Sequence, residues 1–359
     1  MFNQLAKSLE PNPIEELLNN NLFIFKDFIT KSKNQNLQII LTQINRDRKN
    51  KAYFRTFTYG TDKQYYFDPS ESIKLLIAIF ALEKLNDLDF NGLNIDTFLK
   101  SVEDDKNIDV SLKFENLSEC VHKSLLFNNQ NACNKLYDFI DRVCINKKIK
   151  YYGFKSSKII KRLGFDSYTD AERYTPEIIF FKDEKILYRK GASFDKFNYP
   201  IKFKNLNNNS SDILNKNAFQ IKDQHELMLR LFFPETFPTK KRFNLKTDDY
   251  NLLYTYLSNS ENLNKYFFYG ANSNEYKLPH LKIFNNSGKS KNGLIDNAYF
   301  IDYDNNTEFI LSAVTNNTNG INDADHINFL KMLGRKVYEL ELKRDKKYAP
   351  DFSRMAVFK

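Results

Sequence analysis

Residues 70–74 read Ser-Glu-Ser-Ile-Lys and put a hydroxyl, a carboxylate and an ammonium group within about one helical turn. Asp68 and Pro69 precede them, a good N-cap and a residue suited to the first helical position, so a helix is predicted from there to about Leu85. Ser70 and Glu71 stand four and three residues before Lys74 and share a helix face with it. Ser72, two residues before the lysine, points about 200° away. A hydroxyl beside a lysine at a helix start is the equipment of acyl transfer: a base takes the proton, the oxygen attacks a carbonyl, and N–H donors hold the oxyanion. Ser70 is the candidate nucleophile in that reading. Glu71 does something else. It pairs with the ammonium, an interaction worth ~0.2–0.5 kcal/mol when exposed. Pairing holds the lysine charged and removes it as a base. A simpler structural account also fits, since Asp-Pro-Ser-Glu reads as a capping box with Glu71 at the third helical position.

The chain has 359 residues, enough for a substantial core. Apolar residues make up 42% and charged residues 28%, an ordinary globular composition. The longest apolar run, Leu75–Leu82, is far short of the ~20 residues that span a bilayer and suits a buried helix. The first residues lack a basic segment followed by an apolar one, so a cytoplasmic chain is expected unless a leader was removed. Net charge is +9, with lysines spread along the chain; a solvated basic surface is the expectation, with an anionic partner as the sharper alternative. No nucleic-acid motif is evident. Cys120, Cys133 and Cys144 match no zinc spacing and read as small buried residues. His122, His225, His280 and His326 have no metal-ligand spacing and read as surface or packing residues, His326 as part of a solvated cap with Asp323 and Asp325. No metal or cofactor is called for.

Residues 13–32 look helical. Gln38–Ile44 and Ala52–Tyr59 are rich in β-branched and aromatic residues and predict paired strands. Residues 94–260 read mostly as helices joined by polar loops, with an Asn/Ser-rich loop at 205–217. Leu294–Tyr303 and Thr307–Val314 predict a hairpin around Asp304-Asn305-Asn306, and a last amphipathic helix covers about Ala324–Leu342. Strands at both ends and helices between them predict one α/β (α+β) architecture, with an antiparallel sheet lobe built from both chain ends and an inserted helical lobe.

Several stretches resemble a bacterial serine hydrolase family related to class A β-lactamases and penicillin-binding proteins, in particular its envelope branch found in Bacteroidetes. Tyr66-Phe67-Asp68-Pro69 through Leu85 resembles that family's active-site helix, which carries Ser-x-x-Lys. Asn131–Phe139 resembles the segment after its Ser-Asp-Asn motif. Phe233-Pro234-Glu235, Arg242-Phe243-Asn244-Leu245 and Asp249-Tyr250 are similar to a signature of its helical lobe. Ile283–Tyr299 resembles its Lys-Thr-Gly-type strand and the hairpin that follows. The resemblance implies a β-lactamase/DD-peptidase-like domain over residues 1–359, with a sheet lobe at 33–67 and 265–359 and a helical lobe at 68–264. It also implies a cell-envelope or periplasmic setting.

The same resemblance shows three departures. Glu71 stands at the nucleophile position. Asn128-Asn129-Gln130 stands at Ser-Asp-Asn. Asn286-Ser287-Gly288 stands at Lys-Thr-Gly, so only Lys74 and Gly288 keep the pattern. The expectation is an inactive homologue acting as a ligand-binding or assembly protein, its ligand a small molecule, peptide or glycan. The alternatives are a hydrolase using Ser70 with Lys74, and a structural subunit whose cleft has closed. Lys289 and Lys291 fall at the implied cleft rim and could meet an anion or form an idle basic loop. Tyr299 and Tyr303 are expected to pack on the sheet.

Overall fold

The computed structural model describes residues 11–31, 37–62, 65–102, 115–164, 170–200, 216–259, 266–269, 278–290, 293–316, 322–346 and 348–351. The first helical stretch is two helices, α1 (Pro13–Asn20) and α2 (Leu22–Lys31). Asn21 divides them because its side-chain amide donates to the Leu17 carbonyl at 2.8 Å, competing with the helical ladder. Strands β1 (Gln38–Arg46) and β2 (Ala52–Tyr59) form the expected hairpin. Asp47 closes it by accepting the Lys49 and Lys51 amides at 2.8 and 3.0 Å.

Helix α3 (Ile73–Leu88) is the axis of the molecule: every side chain from Ile73 to Glu83 is buried. Its sequence is apolar on all sides, so packing on all sides is the only arrangement that removes it from water. Next come β3 (Phe98–Ser101), β4 (Glu115–Asn116), α4 (Leu117–Leu126), α5 (Gln130–Ile140) and α6 (Arg142–Tyr152). They are followed by β5 (Tyr174–Thr175), β6 (Ile178–Lys182), β7 (Lys185–Lys190) and β8 (Ser193–Phe194), then α7 (Ile221–Phe232) and α8 (Thr247–Ser258). The chain returns to the sheet as β9 (Leu281–Ser290), β10 (Gly293–Asp302) and β11 (Thr307–Asn316), and α9 (Asp323–Lys343) follows.

The main sheet has the order β2-β1-β11-β10-β9 and is antiparallel throughout, so both ends of the chain build it. Helices α1, α2 and α9 cover one face, around Leu41, Phe300 and Leu311. Helix α3 and its neighbours cover the other, around Ile44, Phe284 and Tyr299. Tyr299 packs among the rings of Phe232, Phe233 and Phe284, as its strand position implied, and its hydroxyl donates to Glu308 at 2.7 Å.

Residues 94–260 are less helical than the sequence reading had them. They contain a four-stranded sheet, β4-β3-β6-β7, and the two-stranded pair β5-β8. The β6–β7 turn uses Asp183 and Glu184 at φ +49° and +63°. Glutamate is an unusual residue for a left-handed turn position, so the glycine or asparagine that flags such hairpins is missing. The Asn/Ser-rich loop lies outside the described residues up to 215, as does Lys291. Cys120 and Cys133 are buried, whereas Cys144 is only partly so.

His326 is not a solvated cap. Asn322 caps α9 by accepting the Asp325 amide at 2.9 Å, and His326 turns inward, fully buried against the edge of Phe28. His225 is buried on α7 and bridges to the sheet, with Thr42 Oγ1 2.7 Å from Nε2 and Ser312 Oγ 2.8 Å from Nδ1. Burial lowers its pKa from 6.5 to about 3. Below pH 6.5 the unfolded chain binds a proton that the folded chain refuses, so stability falls on acidification. Asp223 and Asp296 act in the opposite sense, because burial raises them to about 6 and about 7 and the folded state holds their protons longer than the unfolded state does. Comparison with His225→Gln isolates the histidine contribution. Between pH 7 and 5 the parent should lose about 2 kcal/mol more than the variant. Urea titrations at the two pH values measure this, and parallel losses would refute it.

Candidate functional site

Asp68 Oδ1 accepts the Ser70 amide at 2.9 Å, which bends the chain into a left-handed Ser70 (φ +44°) and a short 3-10 turn at Ser70–Ser72 before α3 begins. The predicted capping box is therefore not what starts the helix. The Asp68 side chain is spent two residues on, and α3 proper starts at Ile73. The carboxylate of Glu71 faces Lys74 across one turn, with Oε1 3.8 Å from Nζ. Ser70 Oγ donates to the Lys289 carbonyl at 2.7 Å, tying the turn to β9. Ser72 is buried, and its hydroxyl donates to the Pro69 carbonyl at 2.6 Å.

Lys74 is 3% exposed. Its ammonium donates to Asn128 Oδ1. Burial lowers its pKa, and the Glu71 carboxylate opposes that shift. Asn128 lies at φ +56° between α4 and α5, a conformation asparagine tolerates. Cys133 sits nearby, and burial pushes its thiol up to about 11, so it supplies no thiolate beside the lysine.

Strand β9 closes over this group from the other side. Asn286 donates from Nδ2 to the Ser72 carbonyl at 2.8 Å. A Cβ on Gly288 would lie 2.7 Å from the Ser72 nitrogen and 2.8 Å from the Pro69 oxygen, so the strand approaches the turn as closely as only glycine permits. Helix α8 adds Leu257 to the closure. It is held by the 242–249 signature. Asn244 donates its amide to the buried Glu83 at 2.9 Å, and Asp249 accepts from the Asn86 side chain at 2.8 Å and from the Lys246 amide at 2.8 Å.

The space left among Glu71, Lys74, Asn128, Leu257, Asn286 and Ser287 is about 20 Å³. That is room for about one water molecule. Small-molecule sites are typically ~300–1,000 Å³.

Five residues singled out in the sequence thus converge: Glu71, Lys74, Asn128, Asn286 and Ser287. Four serve elsewhere. Ser70 ties the turn to β9 and Gly288 packs beneath that turn. Asn129 caps α5 through the Ala132 amide at 2.9 Å, and Gln130 is exposed beside Gly164. Lys289, expected at the rim, pairs with Asp323 at 2.6 Å. Ser124, Leu125, Leu257 and Asn285 also line the space and were not anticipated. The spacing of Leu253, Tyr254 and Leu257 on α8 carried the signal for Leu257, because it marks a buried face.

No family model matches the sequence, and no curated protein matches it either. Solved structures do. The TLA-3 extended-spectrum β-lactamase superposes with a TM-score of 0.58 at 12% identity, over 92% of this chain and 100% of that one. A β-lactamase from Sphaerobacter thermophilus gives 0.55 at 10% identity, over 94% and 100%. A representative class A β-lactamase from Bacteroides cellulosilyticus gives 0.52 at 13% identity, over 92% and 98%. The chain therefore has a β-lactamase-like fold. Among the described residues no helix is long and apolar enough to cross a membrane.

Proposed function

We propose that this chain is a non-catalytic member of the β-lactamase-like serine hydrolases, whose former cleft has become part of the core and which acts as an assembly or structural protein through its outer surface. The observation that carries this reading is the cavity of about 20 Å³ where a substrate would have to enter. The chemistry around it agrees. Lys74 faces a carboxylate and an amide oxygen instead of a hydroxyl, and the amide of Asn286 stands where the resemblance expects a cation. Acylation needs a nucleophile, a base and an oxyanion hole together, and these residues supply the first two poorly. Ser70, the alternative nucleophile, has its proton engaged by the Lys289 carbonyl. A ligand held inside the cleft is disfavoured by the same small volume. A cell-envelope setting is part of the reading on the strength of the fold resemblance, and fractionation of producing cells tests it.

The direct test is covalent labelling. Purified protein incubated with benzylpenicillin and with a fluorophosphonate probe should keep its unmodified intact mass. A stable adduct on any serine would overturn the proposal, and its position would show whether Ser70 is the nucleophile.

A further inference from the structure

We propose that the groove at the C-terminal end of α6 is a binding site for a small aromatic molecule carrying a phosphate group. It lies apart from the closed cleft and rests on different residues. Its volume is about 500 Å³, within the ~300–1,000 Å³ typical of ligand sites. Lys147, Lys150, Lys155 and Lys158 line it, together with the rings of Phe197 and Tyr199, and among the described residues its lining contains no aspartate or glutamate. On a chain with 45 acidic residues, three exposed lysines and the buried Lys158 along one recess, with no carboxylate among its described lining residues, make an electropositive pocket. A phosphate ester, with a charge of about −1.5 to −2 at neutral pH, complements it better than a single carboxylate does.

The site has fixed and adjustable parts. Lys158 is 2% exposed, and its backbone is locked to Ala218 by two hydrogen bonds of 2.7 and 2.8 Å. Burial and the neighbouring Arg142 lower its pKa to about 8. An incoming anion would favour its charged form. Arg142 is itself engaged with Asp195 at 2.8 Å, so that carboxylate is already matched. The end of α6 offers the anion little repulsion. Gly153, in the left-handed conformation, satisfies the Ile149 and Lys150 carbonyls, and Lys150 sits in the last turn, where a cation offsets the helix dipole. Lys147, Lys150 and Lys155 are exposed and free to turn inward. Phe197 is 61% exposed, a large ring left in water at the mouth of the groove, where it can cover an aromatic body.

Isothermal titration at low salt tests this with three probes: phenyl phosphate, inorganic phosphate and the neutral benzyl alcohol. Phenyl phosphate should bind ~10-fold or more tightly than inorganic phosphate, and benzyl alcohol should not bind measurably. Lys150→Glu with Lys155→Glu should weaken both phosphates ~10-fold or more. Phe197→Ala should weaken phenyl phosphate alone. These side chains are exposed, so the variants should fold, and circular dichroism checks that. No saturable heat with phenyl phosphate would overturn the proposal. So would binding that is indifferent to the charge reversal, or equal binding of benzyl alcohol.

Discussion

Gly288→Ala is expected to destabilise the protein by about 2–3 kcal/mol, through a single methyl group. The added carbon would fall 2.7 Å from the Ser72 nitrogen and 2.8 Å from the Pro69 oxygen, and both are backbone atoms. Neither can swing aside as a flexible side chain would, so β9 must move away from the 3-10 turn. That movement would also stretch the Asn286–Ser72 hydrogen bond and the tie from Ser70 to the Lys289 carbonyl. Gly191→Ala is the control, because an added carbon there meets nothing within 4 Å. It should be neutral or slightly stabilising, since alanine has less freedom to lose than glycine. Urea unfolding of the two variants beside the parent decides the matter. Equal stabilities would mean that β9 and the turn are farther apart than described and that the cleft is less firmly shut.

Glu71→Ser, which creates the Ser-x-x-Lys of the family the sequence resembles, is expected to give no β-lactam or ester hydrolysis and to lower stability by about 1–2 kcal/mol. Groups that act as a unit in acyl transfer are far from additive, so one restored hydroxyl cannot replace the missing partners. Asn128 and Asn286 would remain amides, and the space of about 20 Å³ would gain only the difference between two side chains. The stability loss comes from Lys74. Its buried ammonium would keep the Asn128 oxygen and lose the carboxylate 3.8 Å away. Breaking a fully buried pair costs about 3–5 kcal/mol, and the smaller figure reflects the partial exposure of Glu71 and the length of the contact. The sign of the pH dependence follows. Removing Glu71 removes the influence that opposes burial, so the folded-state pKa of Lys74 falls further below 10.5. The penalty is present while the unfolded chain is protonated and the folded chain resists protonation, and it is relieved as pH rises toward 10.5. The deficit of the variant should therefore shrink between pH 7 and 9.5. Turnover that appears in Glu71→Ser and disappears again with Lys74→Ala would sink the non-catalytic reading.

Much of the scaffold was legible in the residues. The apolar run Leu75–Leu82 became the buried axis, and the two end hairpins became neighbours in one sheet through β1 and β11. The Glu71–Lys74 contact followed from i, i+3 spacing alone, although the turn that delivers it is 3-10 and not the capping box that Asp68 implied. Asp68 shows why. Its side chain had two acceptable partners, the amide two residues on or the one three residues on, and local sequence does not rank them. The β6–β7 hairpin was missed because Asp183-Glu184 lacks the usual turn residues, and His326 because a histidine among acids at a helix start reads as solvated until Phe28 is packed against it.

The sequence by itself determined which chemical groups stand at the positions that the resemblance would match to a nucleophile, a proton shuttle and a cation: a carboxylate at 71 and amides at 128 and 286. Residue identity is a local property, and the absence of a hydroxyl at 71, 128 and 286 needs no coordinates to be seen. Only the tertiary structure decided that the space between those groups is closed. Closure depends on Leu257 arriving from α8, on Asn244 and Asp249 strapping that helix to α3, and on β9 coming within contact distance of Pro69 and Ser72. Asn244, Asp249 and Gly288 lie more than 150 residues from the groups they meet on α3 and its leading turn, and a pocket's volume is what remains after all of these partners have packed.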